Sequence, residues 1–103
     1  MVYDFIKWIS PLINRMPRDR KFTIGDRLLN HWYDMLEMLL EAKYSPKPSK
    51  RRILNKSNLK LEKIRFFHRL LKDEKIWDMR RFKYAIKKVD EIGVSIGGWI
   101  KKI

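Results

Sequence analysis

His31 and His68 are the only side chains in this 103-residue sequence that could serve as a general acid or base near neutral pH, and no cysteine is present. A lone histidine on a helical pattern more often packs or hydrogen-bonds than does chemistry. Arg27 stands too close to His31, and Arg65 closer still to His68, for the Arg-to-His spacing that a small all-helical ribonuclease would need. The acidic pairs Asp73–Glu74 and Asp90–Glu91 are adjacent in sequence, so their carboxylates point to different sides of a helix and suit salt bridges better than paired acid–base work. His31 with Asp34 makes at most half a metal site, and the Glu-x-x-His pairs of di-metal bundles are absent. The residues therefore predict no catalytic site, no metal, no cofactor and no enzyme.

The chemistry that stands out is electrostatic. Between Lys47 and Lys72 ten Lys and Arg face one acid, Glu62, so this quarter of the chain holds +9 of the +13 formal charge. The remainder is nearly balanced. Ten like charges can form a solvated face whose stems cover apolar surface. They also repel one another, so a polyanionic partner accounts for them better. Arg65, Phe66, Phe67 and Arg69 interleave cations with aromatics, which favours nucleic acid. A membrane surface fits less well, because cationic and apolar residues do not segregate onto two faces. No recognition-helix motif, zinc finger or exposed aromatic platform can be read from the residues, so contact should be largely independent of sequence.

Length allows one domain over residues 1–103, and 45% hydrophobic residues with 13% aromatics predict a folded chain rather than a disordered one. The longest run without a charged residue, Ile92 to Ile100, is about half of a membrane span. No basic region precedes the first apolar stretch and no cleavage site follows it, and with the lack of cysteine this points to the cytoplasm.

Helical spacing of apolar residues predicts four elements, at about 2–16, 23–43, 50–72 and 78–102. Pro11 should kink the first and Pro17 end it. Thr23 and Asp26 resemble a capping box for the second. Pro46 and Pro48 should keep Tyr44 to Ser49 out of helix, as a short stiff connector. The fourth has the cleanest pattern, with Phe82, Ala85, Val89, Ile92, Ile96, Trp99 and Ile103 at steps of three and four, and Gly93 and Gly97 suggest close approach of another backbone. With no β-type alternation, the fold class is all-α, an up-down-up-down four-helix bundle.

On the third helix Arg52, Lys56, Lys60 and Lys63 share one arc, with Arg65, Arg69 and Lys72 roughly opposite. Apolar residues are split as well: Ile53, Leu61, Ile64 and Leu71 on one side with Phe67 nearby, Leu59, Phe66 and Leu70 on another. One core does not require both sectors.

Pro11 and Pro17-Arg18, the run Arg20-Lys21-Phe22-Thr23-Ile24-Gly25-Asp26-Arg27, then Leu61-Glu62-Lys63-Ile64-Arg65-Phe66, Asp90-Glu91-Ile92-Gly93 and Ile96-Gly97-Gly98-Trp99-Ile100 occur in an order and spacing that resembles the accessory variability determinant (Avd) family of diversity-generating retroelements. That family lies within the wider group of four-helix-bundle ribosomal-RNA intervening-sequence proteins. The resemblance implies a homopentameric barrel that associates with the retroelement's reverse transcriptase and with RNA or DNA in mutagenic copying of a template RNA, the polymerase chemistry belonging to the partner. It places Arg65 and Arg69 in the family's third-helix motif, as contacts to reverse transcriptase or RNA, with an intersubunit salt bridge the plainer role. Gly93, Gly97 and Trp99 match its fourth-helix signature and are expected to pack, and the Pro17–Arg27 segment is expected near a subunit interface. The expected binding surface is Lys50, Arg51, Arg52, Lys56, Lys60, Lys63, Arg65, Arg69 and Lys72, with Leu59 and Phe66 facing a neighbouring subunit. The alternative is a stand-alone RNA-binding four-helix bundle with no polymerase partner, and no membrane partner is expected in either case.

Overall fold

Val2, Phe5, Ile9 and Ile13 bury one side of the first helix, α1 (Val2–Asn14), in a computed structural model that describes every residue from Met1 to Ile103. The chain is all-α and without strands, measures 43 × 22 × 19 Å, and has four long helices. Pro11 lies inside α1, and its carbonyl accepts the N–H of Arg15 where the helix ends.

The second long helix begins earlier than the apolar spacing suggests. Pro17, in an extended conformation, caps a single turn, α2 (Arg18–Arg20), which runs through a π-helical turn at Lys21–Gly25 into α3 (Asp26–Lys43). The capping box at Thr23 and Asp26 is not formed. Thr23 sits inside the π turn, and its hydroxyl donates backward to the Asp19 carbonyl at 2.7 Å. Gly25 lets this turn press against α1: a Cβ there would lie 3.1 Å from Ile13 Cγ2, 3.2 Å from Met16 Sδ and 3.3 Å from the Arg20 carbonyl.

The two prolines of the next connection do not exclude helix. Pro46 caps α4 (Lys47–Asp73) and Pro48 occupies its first turn, where a missing N–H removes no intrahelical bond. This adds a turn to the expected third helix. At its far end Lys75 adopts φ 62°, and the N–H groups of Ile76 and Trp77 return to the Leu71 carbonyl, reversing the chain. Asp78 then caps α5 (Met79–Lys101) by accepting the Arg81 N–H at 2.7 Å.

These short connections run consecutive helices antiparallel. Between α4 and α5 the register shows directly: Lys72 lies over the Phe82 ring, Arg65 reaches Asp90, and Lys50 lies over Trp99. Phe5 packs on Trp32 of α3 at 4.4 Å between centroids and stacks toward Tyr84 of α5 at 6.4 Å, so α1 closes a four-helix bundle. Its core is Ile9, Ile13, Leu28, Trp32, Met35, Leu54, Ile64, Leu71, Ala85 and Val89, all fully buried.

His68 is the polar group of that core. Trp77 Nε1 donates to its Nδ1 at 3.0 Å and Trp32 Nε1 approaches its Nε2 at 3.3 Å. A neutral imidazole has one acceptor nitrogen, so only one indole can donate to it at a time. Burial pushes the His68 pKa down to about 3. The other buried polar side chain, Ser57, donates to the Ile53 carbonyl.

Candidate nucleic-acid interface

Four of the ten cations on α4 have carboxylates close by, which the linear sequence hides. Arg65 Nη1 meets Asp90 Oδ1 of α5 at 2.6 Å and its Nε lies 3.4 Å from Glu62. Burial works against the Arg65 charge, but the hydrogen bond and attraction of Asp90, then those of Glu62, outweigh it and raise its pKa above the ordinary value. Lys60 is clasped by Asp34 at 3.2 Å and by His31 Nδ1 at 3.1 Å, with 19% of its side chain exposed. His31 itself has a lowered pKa, through burial first and then the Lys60 charge. Arg69 and Lys72 lie 3.9 and 3.6 Å from Asp73. Of the acids weighed for catalysis, Glu74 pairs with Arg20, Asp90 with Arg65 and Glu91 with Lys88, which uses them as ion-pair partners.

The other six, Lys47, Lys50, Arg51, Arg52, Lys56 and Lys63, have no carboxylate within 4.0 Å. All lie in the first seventeen residues of α4. The fold adds to this end of the bundle. A short connector puts Lys43 of α3 beside it, and the antiparallel register brings in Lys101 and Lys102, since Lys50 sits 5.9 Å from the Trp99 ring. Tyr44, 80% exposed, carries Lys43 over its ring at 5.5 Å. Sequence reasoning missed this pole because Lys101 and Lys102 are far along the chain from the cations they join. Along α4 the unpaired positive charge is thus weighted toward the first seventeen residues and not spread along two stripes of equal weight.

A model of the bAvd-like family matches residues 1–103. The chain belongs to the bAvd-like family. That family is not a known family of enzymes. No curated protein and no solved structure matches the chain. No helix of this bAvd-like protein is long and apolar enough to cross a membrane.

Beside the cations of the bAvd-like chain runs an apolar stripe. Leu59 and Phe66 are 60% and 62% exposed on α4, with Leu70 below them, whereas Ile53, Leu61, Ile64 and Leu71 are buried and Phe67 is half-buried against His31. A second exposed apolar group lies on α5 at Val94, next to Met1. Gly93 and Gly97 meet no backbone of another helix: a Cβ on Gly93 would touch only Leu61 Cδ2 at 3.4 Å, and one on Gly97 would meet nothing within 4 Å. The expected close helix approach is therefore not made within the chain, because side chains of α4 already fill the space at Gly93.

Proposed function

We propose that this bAvd-like protein is a basic accessory subunit that holds a retroelement reverse transcriptase on template RNA and its cDNA during mutagenic copying, without chemistry of its own. The carrying observation is the set of cations at the start of α4 with no carboxylate partner. Concentrated and uncompensated, they repel one another until something anionic neutralises them. Lys50, Arg51, Arg52, Lys56 and Lys63 supply most of the affinity for phosphates. Lys60 on the α3 side and Arg65, Arg69 and Lys72 on the opposite side of α4, already paired, contribute less and orient what is bound.

In this reading the assembly is a homopentameric barrel. Each copy offers Leu59 and Phe66 from α4 to a different face of the next, such as the Val94 side of α5. A head-to-tail contact of two unlike faces closes into a five-membered ring when each copy is turned one fifth of a circle from the last. The test is reconstituted cDNA synthesis by the cognate reverse transcriptase on its template RNA. Product is expected with the wild-type protein and lost with the Arg51→Glu/Arg52→Glu variant. Equal product with no accessory protein would overturn the proposal.

A further inference from the structure

The π-helical turn presents a surface that the basic pole does not explain. Phe22 is 58% exposed there, with Arg18 Cζ 5.9 Å and Lys21 Nζ 5.1 Å from its ring centroid. Neither cation, nor Arg27 one turn on, has a carboxylate within 4.0 Å, while the nearby acids Glu74 and Asp34 are taken up by Arg20 and Lys60, leaving Asp19 and Asp26 as the local negative charges. The ring has no aromatic neighbour in the chain, and a groove of about 810 Å³ opens beside it, floored by Phe67 and Leu70 and edged by Arg27 and His31.

This turn is also rigid. Gly25 is wedged against Ile13 and Met16, Ile24 is buried, and Thr23 closes the turn onto Asp19. A fixed, apolar, flat side chain flanked by free cations matches the alternation of base and phosphate in an unpaired strand, because every base offers a π-face and every linkage a negative charge. The position lies at the opposite end of α3 from Lys43 and the start of α4, 18 residues or roughly 27 Å at 1.5 Å per residue, with Lys63 of the α4 cations nearer, beside Phe67 and Leu70.

We propose that Phe22 is a stacking platform for one unpaired base of a single-stranded polynucleotide, with Arg18, Lys21 and Arg27 holding the adjoining phosphates. This rests on the nucleic-acid reading above and adds a preference for single strands to it. The experiment compares a labelled oligouridine of about 12 nucleotides with a blunt RNA duplex of equal length, by fluorescence anisotropy on the full-length assembled protein. Phe22→Ala is expected to weaken oligouridine binding roughly 5- to 100-fold and to leave duplex binding within about 2-fold, with Phe22→Trp restoring the single-strand affinity.

Equal losses on both probes, no loss on either, or failure of Phe22→Trp to rescue would overturn the platform while leaving the basic pole intact. A changed assembly mass in Phe22→Ala by light scattering would overturn it too, by showing that the ring packs between copies. Absence of wild-type binding to both probes in dilute salt would defeat the nucleic-acid reading itself.

Discussion

Protonation of His68 should cost this fold its stability in mild acid, and the geometry sets the size of the effect. The ring is fully buried, and the groups nearest its two nitrogens are indole N–H donors from Trp77 and Trp32. A second ring proton would therefore face a donor and find no acceptor. The pKa falls from 6.5 in the exposed state to about 3 in the fold. Below pH 6.5 the unfolded chain takes up a proton that the folded chain refuses, so stability is complete above that pH and declines as pH drops toward 3. Between pH 7 and pH 5 the loss works out at about 2 kcal/mol, from about 1.4 kcal/mol for each pH unit below the unfolded pKa. Urea unfolding followed by circular dichroism, at one fixed protein concentration, would measure it in the wild type and in His68→Gln. Glutamine can still accept from Trp77 but does not titrate, and His31 titrates in both proteins. The wild type should lose about 2 kcal/mol more than the variant over this range. Equal pH dependence in the two would refute the assignment of His68 as a buried, neutral, acid-sensitive group.

Other perturbations read different parts of the account. Replacing Leu59 or Phe66 by Glu should leave helicity intact and reduce the light-scattering mass to that of the 12.7 kDa chain, and an unchanged mass would remove both from the interface. Gly25→Ala should destabilise by about 1 kcal/mol, since an overpacking cost of about 1–3 kcal/mol outweighs the helix gain of about 1, whereas Gly97→Ala, with open space around it, should gain about 0.4–1 kcal/mol in chemical denaturation. Arg65→Ala should cost about 0.5–1 kcal/mol through the Asp90 contact, while Arg69→Ala, 64% exposed and 3.9 Å from its partner, should stay within about 0.5 kcal/mol.

The helices were legible where apolar spacing and burial agree. Ala85, Val89, Ile92 and Ile96 of α5 recur at three and four and are all buried, and the two apolar sectors of α4 separate into a buried and an exposed side. Local signals misled at the ends. Thr23 looks like a cap but bonds backward inside a π turn, because Pro17 starts the helix sooner, and Pro48 looks like a breaker but falls in a first turn where it is tolerated. The site was legible as a charged stretch and not as a surface. Asp34 and Asp90 are distant in sequence from the cations they neutralise, and Lys101 and Lys102 join the pole only through antiparallel packing. The exposure of Phe22 has no sequence signal, since it depends on where the π turn places the ring.

The central claim is that the cations opening α4 exist to bind phosphate, and the salt dependence of RNA affinity tests it most directly. In anisotropy titrations of labelled template RNA against salt, log affinity should fall linearly with log salt concentration, by about 0.7–0.9 for each phosphate contacted, and Arg51→Glu/Arg52→Glu should lower both the affinity and the slope. Affinity indifferent to salt, or a slope unchanged in that variant, would contradict the account.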